Sequence, residues 1–127
     1  YVFSKPVKTQ ARSLYEVNAD KKVIVFWSST CSHCETELPK FIPYYSQMKA
    51  KNIEIVGLSL DVDKASYDSK ANHYPWINDT ELRGWNSTFA EKYNVRATPT
   101  YYILDKNNRI IAKPDHIADV LENLGLK

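Results

Sequence analysis

Two apolar runs that flank one helix-length segment constrain the fold more than any other feature of this chain. Residues 23–27 (VIVFW) and 53–60 (IEIVGLSL) are rich in β-branched and large apolar residues, as expected for strands that are buried on both faces. Between them, apolar residues recur at spacings of three and four, which predicts an amphipathic helix from Ser32 to about Ala50. The order of strand, helix and strand favours a right-handed βαβ unit with parallel strands.

The predicted helix contains a proline near its middle. The apolar positions that define the helix are Leu38, Phe41, Ile42, Tyr45 and Met48. Pro39 lies among them, and a proline removes one backbone hydrogen bond and crowds the preceding turn. We therefore expect the helix to be kinked at this point.

The remaining patterns extend this unit to an α/β fold. Residues 12–18 predict a short helix or turn with Leu14 and Val17 facing inward. Further along, the patterns predict a weak helix with an acidic cap over residues 61–74, a polar connection over 75–83, a helix over 85–93 with Trp85, Phe89 and Tyr93 on one face, a strand over 99–104, a hairpin turn over 105–108, a return strand over 109–113 and a last helix over about 115–124. We therefore expect a central mixed β-sheet flanked by helices on both faces.

The length and charge of the chain limit its class. A chain of 127 residues is typical of one domain, so we expect a single domain over residues 1–127, with residues 1–11 irregular. The 17 basic and 15 acidic residues give no electrostatic reason to expect nucleic acid or an anionic membrane as a partner. No apolar run reaches the length of a membrane-spanning helix, so we expect no membrane insertion by this domain.

The chain has two cysteines, Cys31 and Cys34, which fall between the first predicted strand and the first helix. A structural disulfide gains stability by closing a long loop, and this pair closes almost none. A C-x-x-C pair alone does not complete a typical zinc site, which needs a second pair of ligands. The spacing therefore points to redox chemistry rather than to a structural role.

The position of each cysteine indicates a different part in that chemistry. Cys31 precedes the helix, where unpaired backbone N–H groups and the helix dipole favour a thiolate. A thiolate is the nucleophile in disulfide exchange, so we expect Cys31 to be exposed and to attack a substrate disulfide. Cys34 lies one helical turn later, and we expect it to be buried and to resolve the mixed disulfide.

Residues 23–39 (VIVFWSSTCSHCETELP) resemble the active site of the thioredoxin superfamily. Trp27 lies four residues before the first cysteine, and Pro39 lies five residues after the second, where this family has a helix kink. Thr98 and Pro99 open a predicted strand where the family has a cis-proline loop. The resemblance covers about residues 12–125.

Within the superfamily, the chain looks most like the TlpA/ResA type of extracytoplasmic thiol–disulfide oxidoreductase. Glu37 matches a carboxylate near the active site of ResA-like proteins, and about 35 residues between Leu60 and Val95 resemble the helical insertion of this branch. Val25 departs from the pattern, because thioredoxin itself has a buried Asp at that position. Thr30 replaces a Trp that is found in many relatives. The dipeptide Ser32-His33 resembles the Pro-His of the oxidising DsbA family, so the direction of electron flow stays open.

The resemblance implies a thioredoxin-like fold and thiol–disulfide exchange with protein substrates, as a reductase rather than an oxidant. It implies a location outside the cytoplasm, either periplasmic or membrane-tethered, and no cofactor beyond the redox-active Cys31–Cys34 disulfide. We expect a monomer that works with protein disulfide or dithiol substrates and with a separate redox partner. The Thr98–Pro99 peptide is expected to be cis and to lie beside the cysteines, with the Thr98 backbone free to pair with an extended substrate.

Three further residues are candidates for tuning the site. His33 would stabilise the Cys31 thiolate and make the disulfide more oxidising, unless it is only a solvated side chain. Glu37 would accept the proton of Cys34 or raise the pKa of that thiol, unless it is an ordinary exposed helix carboxylate. Trp27 is interpreted first as core packing and second as support beneath the site.

Two other functions use the same cysteines. A copper metallochaperone would bind Cu(I) through Cys31, Cys34 and a histidine, because soft thiolates suit that ion. A thiol peroxidase would resemble the peroxiredoxins, which place a Thr three residues before the reactive cysteine, where this chain has Ser28. No second cysteine motif or Met-rich segment supports copper, so the sequence analysis assigns no metal ligands.

Overall fold

The structure is a computed structural model that describes residues 1–126, and over this range five strands form one mixed sheet. The strands are β1 (Lys21–Trp27), β2 (Ile53–Ser59), β3 (Ile77–Thr80), β4 (Thr100–Asp105) and β5 (Ile110–Ala112), in the spatial order β3-β2-β1-β4-β5. β2 is parallel to β1 and β3, whereas β4 is antiparallel to β1 and β5. The predicted α/β fold with a mixed sheet is confirmed. Residue 127, the last of the predicted domain, lies outside the described residues.

Helices connect these strands and cover both faces of the sheet, as predicted. The α-helices are α1 (Ser32–Glu37), α2 (Ile42–Ala50), α3 (Lys64–Ala71), α4 (Thr88–Lys92) and α5 (Ile117–Asn123), and 3-10 turns occur at Leu14–Glu16, Leu38–Phe41 and Gly84–Asn86. Leu14 and Val17 are buried at the first of these turns, as predicted.

The sheet has two distinct faces because side chains alternate along each strand. The cysteine face consists of Val23, Val25, Trp27, Ile53 and Ile55, and it packs against apolar residues of α1, α2, α3 and α5, among them Cys34. The far face consists of Ile24, Phe26, Val56 and Leu58, and it packs against α4 and the N-terminal segment, residues 1–13.

The helix predicted from Ser32 to Ala50 with a kink at Pro39 is interrupted near that proline rather than only bent. α1 ends at Glu37, a 3-10 turn with Pro39 in its first positions follows, and α2 begins at Ile42. The chain re-forms as a separate helix because Pro39 lacks an N–H, and a second proline, Pro43, lies in the first turn of α2, where that loss costs least. Ile42 is exposed rather than part of the buried stripe.

The polar connection predicted over residues 75–83 is also wrong, because it contains β3. Asn78, Asp79 and Thr80 are buried although all three are polar, and Asn and Asp are also depleted in strands. Each finds a distant partner: Asn78 accepts from Trp27, Asp79 accepts from the N-terminal segment, and Thr80 donates to the Ser59 carbonyl. Those contacts are made by tertiary structure, so the local pattern did not reveal the strand.

The single helix predicted over residues 85–93 is two short elements. Gly84, the first residue of the 3-10 turn, adopts a left-handed backbone conformation (φ +56°), and an extended Ser87 separates that turn from α4. Phe89 is buried as predicted, but Trp85 is 56% exposed and does not share its face.

Candidate active site

Cys31 lies at the junction between β1 and α1, on the loop formed by residues 28–31, here called the Cys31 loop. Cys31 is the N-cap residue of α1, and its Sγ accepts a hydrogen bond from the backbone N–H of Cys34 at 3.1 Å. The two cysteines form a disulfide with a Cα–Cα distance of 5.2 Å. Cys31 is half-buried, whereas Cys34 is 1% exposed and belongs to the core of the cysteine face.

The loop before β4 approaches Cys31 from the other side. The Thr98–Pro99 peptide is cis, and the Thr98 carbonyl oxygen lies 3.6 Å from Cys31 Sγ. In the disulfide the sulfur carries no proton, so this is a contact; in the reduced protein the thiol is placed to donate to that oxygen. Thr98 and Pro99 are both half-buried. Because the Thr98 carbonyl contacts Cys31 and Pro99 follows directly, the structure brings both predicted residues to the cysteine pair.

Trp27 is fixed in the cysteine face by a hydrogen bond. Its Nε1–H donates to Asn78 Oδ1 at 2.9 Å, and its ring packs edge-on against Tyr74. A Cβ on Gly57 would lie 1.9 Å from Asn78 Oδ1 and 2.8 Å from Trp27 Nε1, so only glycine leaves room for this bond. Trp27 shares its core cluster with Cys34, so the indole is part of the packing behind the buried cysteine.

His33 and Glu37 lie on α1 with the cysteines but differ in their surroundings. His33 is exposed. The Glu37 carboxylate accepts from Lys40 at 2.7 Å, and its side chain is 17% exposed. This hydrogen bond lowers the pKa of Glu37, and the charges of Lys40, His33 and His116 add to the effect. Glu37 is therefore an ionised carboxylate engaged with Lys40, one helical turn from Cys34.

Asp61 is a site residue that the sequence analysis missed. It is 3% exposed and follows β2, and its Oδ1 accepts from Ser28 Oγ at 3.1 Å, Ser29 N–H at 3.0 Å and Ser29 Oγ at 2.6 Å. The acidic cap predicted for the next helix is Asp63, which accepts from the N–H of Ser66. The available signal was topological: the carboxyl ends of parallel β1 and β2 lie side by side, so the residues after them meet.

Among residues 1–126, no group of three or more His, Cys, Asp and Glu side chains is arranged to hold a metal ion. Within the same range, no helix is both long and apolar enough to span a bilayer.

Comparisons with known proteins agree with this geometry. A family described as thioredoxin-like matches residues 19–110. The thiol-disulfide oxidoreductase ResA of Oceanobacillus iheyensis is 26% identical over 107 residues, which are 84% of this chain and 55% of the relative. The ResA of Geobacillus kaustophilus is 28% identical over 89 residues, which are 67% of this chain and 48% of that relative. The chain thus spans about half the length of these curated relatives.

Solved structures show the same fold. The thioredoxin domain of a thiol-disulfide oxidoreductase from Bacteroides vulgatus superposes with a TM-score of 0.84 at 21% identity, covering 98% of this chain and 90% of that one. A thiol-disulfide oxidoreductase from Bacteroides fragilis gives a TM-score of 0.68 at 24% identity, covering 82% and 80%.

Proposed function

The chain belongs to the thioredoxin-like family, and we propose that it is a protein thiol–disulfide oxidoreductase that works as a reductase through Cys31 and Cys34. The observation that carries the proposal is the asymmetry of the pair. Cys31 is half-buried and its Sγ receives the N–H of Cys34, whereas Cys34 is buried in the core. A hydrogen bond to sulfur at a helix start favours the thiolate, so the more exposed cysteine is also the better nucleophile.

The reaction proceeds in two exchanges. The Cys31 thiolate attacks one sulfur of a substrate disulfide, so the substrate S–S bond breaks and its other sulfur leaves as a thiolate. The Cys34 thiolate then attacks Cys31 Sγ and releases the second substrate thiol. Two electrons have passed to the substrate, which takes up two protons as its thiolates are neutralised, and the protein holds the Cys31–Cys34 disulfide. A dithiol redox partner returns it to the reduced form.

The surrounding residues receive roles in this scheme. The Thr98 carbonyl contacts Cys31, Pro99 follows it through the cis peptide, and we assign the Thr98 backbone to pairing with an extended substrate segment. Trp27 supports the packing behind Cys34. His33 and Glu37 are assigned to tuning the couple, with His33 favouring the Cys31 thiolate and Glu37 the protonated Cys34.

The setting of the protein follows from its resemblance to the TlpA/ResA type. We propose that residues 1–127 form a single domain, act as a monomer on protein substrates outside the cytoplasm, either in the periplasm or tethered to a membrane, and need no cofactor beyond the disulfide. The ResA relatives support this kinship. From the kinship we infer reduction rather than oxidation of the substrates.

The test is disulfide exchange by matched cysteine variants. We expect the wild-type protein to accelerate the reduction of insulin by dithiothreitol, Cys31→Ser to abolish this activity, and Cys34→Ser to accumulate mixed disulfides. Alkylation of the reduced protein at neutral pH should modify Cys31 first. Preferential labelling of Cys34, or exchange that survives Cys31→Ser, would contradict the assignment.

The reduction potential decides the direction. A reductase is expected to lie near thioredoxin, at about −270 mV, whereas a value near that of DsbA, about −120 mV, would make the protein an oxidant. Titration of the reduced protein with Cu(I) tests the copper alternative, which predicts tight stoichiometric binding without insulin reduction.

A further inference from the structure

The Cys31 loop is attached to Asp61 by more than one group. Ser29 donates both its N–H and its hydroxyl to the carboxylate, and the Ser28 hydroxyl donates to the same Oδ1. These loop donors come from the two residues that follow β1, and all of them converge on one buried side chain. Among residues 1–126, Asp61 forms no ion pair, so its charge is balanced by these hydrogen bonds.

The contacts continue from Ser28 to the backbone of Cys31. The single hydroxyl hydrogen of Ser28 points to Asp61, so the Thr30 hydroxyl must be the donor in its contact of 2.9 Å with Ser28 Oγ. The N–H of Thr30 also donates to Ser28 Oγ, at 3.2 Å, and the N–H of Cys31 donates to the Ser28 carbonyl at 3.2 Å. Each backbone N–H from Ser29 to Cys31 is therefore bonded to Asp61 or to a residue that Asp61 holds.

Asp61 is itself fixed from the other side. The Ser59 hydroxyl donates to Asp61 Oδ2, and the Asp61 N–H donates to Ser59 Oγ at 2.9 Å. The Asp61 carbonyl accepts from the N–H of Gly84 at 3.3 Å. The carboxylate thus has a fixed position at the end of β2, and β2 is paired with β1 and β3.

We propose that Asp61 is a positioning residue that holds the Cys31 loop so that Cys31 Sγ stays between the Cys34 N–H and the Thr98 carbonyl. The proposal rests on the proposed role of Cys31 as the nucleophile. The two distances at stake are 3.1 Å to the Cys34 nitrogen and 3.6 Å to the Thr98 oxygen. Only the Cys34 N–H donates to the sulfur and stabilises the thiolate, and this bond weakens steeply with displacement, so a loosened loop gives a less stabilised thiolate.

The test uses a Cys34→Ser background, in which Cys31 is the single thiol and its titration is unambiguous. Adding Asp61→Ala should raise the measured pKa of Cys31 by about one unit, the size expected for losing one hydrogen bond to a charged group. The rate of reaction with a small aromatic disulfide at a pH below that pKa should fall by about threefold, because the tenfold smaller thiolate fraction is partly offset by the higher nucleophilicity of a more basic thiolate. Both readouts report the Cys31 sulfur and do not require a protein substrate.

Two variants separate position from charge and from stability. Asp61→Asn keeps an oxygen where three of the loop donors converge, so it should leave the Cys31 pKa within about 0.3 unit of the parent, a twofold change in equilibrium. Asp79→Ala removes another buried carboxylate that accepts backbone N–H groups, those of Ser4 and Lys5 in the N-terminal segment. It should lower the free energy of unfolding without changing Cys31.

The proposal is overturned if folded Asp61→Ala keeps the parent pKa of Cys31, or if Asp61→Ala and Asp61→Asn both lower that pKa, as removal of a repelling charge would. If Asp61→Ala does not fold, Ser29→Ala removes a single loop donor and should raise the pKa by a smaller amount, and no shift there contradicts the proposal. If wild-type protein fails to reduce insulin while the Asp61→Ala shift persists, the positioning role stands and the proposed function fails.

Discussion

Both faces of the sheet are packed with aromatic residues, but they differ in whether the buried polar atoms on them form hydrogen bonds. On the far face, the Tyr102 hydroxyl donates to the Tyr93 carbonyl at 2.6 Å, and the Tyr1 hydroxyl donates to Asp79. On the cysteine face, Tyr67 Oη, Trp76 Nε1 and Asn78 Nδ2 are buried without a hydrogen-bond partner among residues 1–126. The far face therefore satisfies its aromatic polar groups, whereas the face that holds Cys34 carries the cost of unsatisfied ones.

The two faces differ because only one of them has to pack around the cysteine pair. The far face is covered by α4 and the N-terminal segment, so it depends on aromatic packing and a few polar contacts. The cysteine face is covered by α1, α2, α3 and α5, and its aromatic residues also have to surround the cysteine pair and Trp27. Conflicts between local satisfaction and the overall fold are expected where a site imposes its own geometry.

The largest effect is expected at the crowded contact of the cysteine face. Gly57→Ala places a methyl group 1.9 Å from Asn78 Oδ1, so the Trp27–Asn78 hydrogen bond must break. Overpacking of about 1–3 kcal/mol and a lost buried hydrogen bond of about 1–3 kcal/mol predict a fall of about 2–6 kcal/mol in the free energy of unfolding. Urea unfolding of the oxidised protein measures it.

A double variant gives the control for that prediction. Asn78→Ala removes the atom that the new methyl group would meet, so Gly57→Ala with Asn78→Ala should cost clearly less than the sum of the two single changes. Additive costs, or a single-variant loss below about 1 kcal/mol, would mean that the contact can relax without breaking the Trp27 bond.

The same contact shows why part of the fold could be predicted and part could not. Residues 23–27 and 53–60 reveal β1 and β2 because an apolar run is a local signal. The run Ile77–Thr80 carries none, since Asn78 and Asp79 are buried only because Trp27 and the N-terminal segment supply partners. The strand therefore depends on residues more than 50 positions away, which no window along the chain contains.

The candidate site divides in the same way. Cys31, Cys34, Thr98 and Pro99 belong to motifs with recognisable spacing, and the structure brings them together. Asp61 belongs to no such motif, because its partners in the Cys31 loop precede it by more than 30 residues and meet it only through the pairing of β1 with β2. Trp85 does not share the face of Phe89 for a local reason, because the extended Ser87 separates the 3-10 turn that contains Trp85 from α4.

A smaller effect, of opposite sign on the two faces, is expected from removing single tyrosine hydroxyls. Tyr102→Phe leaves the Tyr93 carbonyl without its donor and should lower the free energy of unfolding by about 1 kcal/mol. Tyr67→Phe removes a buried hydroxyl that lacks a partner among residues 1–126, so it should leave stability unchanged or raise it by up to about 1 kcal/mol. Burial raises the pKa of Tyr67, so the hydroxyl stays neutral below pH 10 and the comparison holds at neutral pH.

Parallel urea titrations of the two variants test this pair. The comparison between the faces fails if Tyr67→Phe loses as much stability as Tyr102→Phe, because the Tyr67 hydroxyl would then be satisfied in solution. Equal insulin reduction by the two folded variants is expected, since neither hydroxyl touches the cysteines among the contacts described.

The smallest effects are expected from the charged and polar side chains of α1 that lie near the cysteines, His33 and Glu37. Glu37 adds negative charge near Cys34, so Glu37→Gln should lower the pKa of Cys34 by less than one unit. His33→Ala should make the couple more reducing, by no more than about 30 mV, because a supporting group for the Cys31 thiolate is lost. Thiol titration by absorbance and equilibration with a glutathione buffer measure the two quantities.

A Lys40 variant tests whether Glu37 changes the pKa of Cys34 through its charge. Lys40 is 57% exposed and pairs with Glu37, so it screens the carboxylate, and Lys40→Gln should raise the pKa of Cys34 where Glu37→Gln lowers it. The hydrogen bond from Lys40 holds the pKa of Glu37 below its usual range. The ion pair therefore stabilises the fold at any pH above the pKa that Glu37 has in the unfolded chain. This stabilisation is lost as the pH falls through the lower pKa of Glu37 in the folded protein. Both shifts should therefore shrink as salt is added and should persist throughout the neutral range in which the cysteines titrate. Shifts of the same sign in the two variants would mean that Glu37 and Lys40 affect Cys34 by packing of α1 and not by charge.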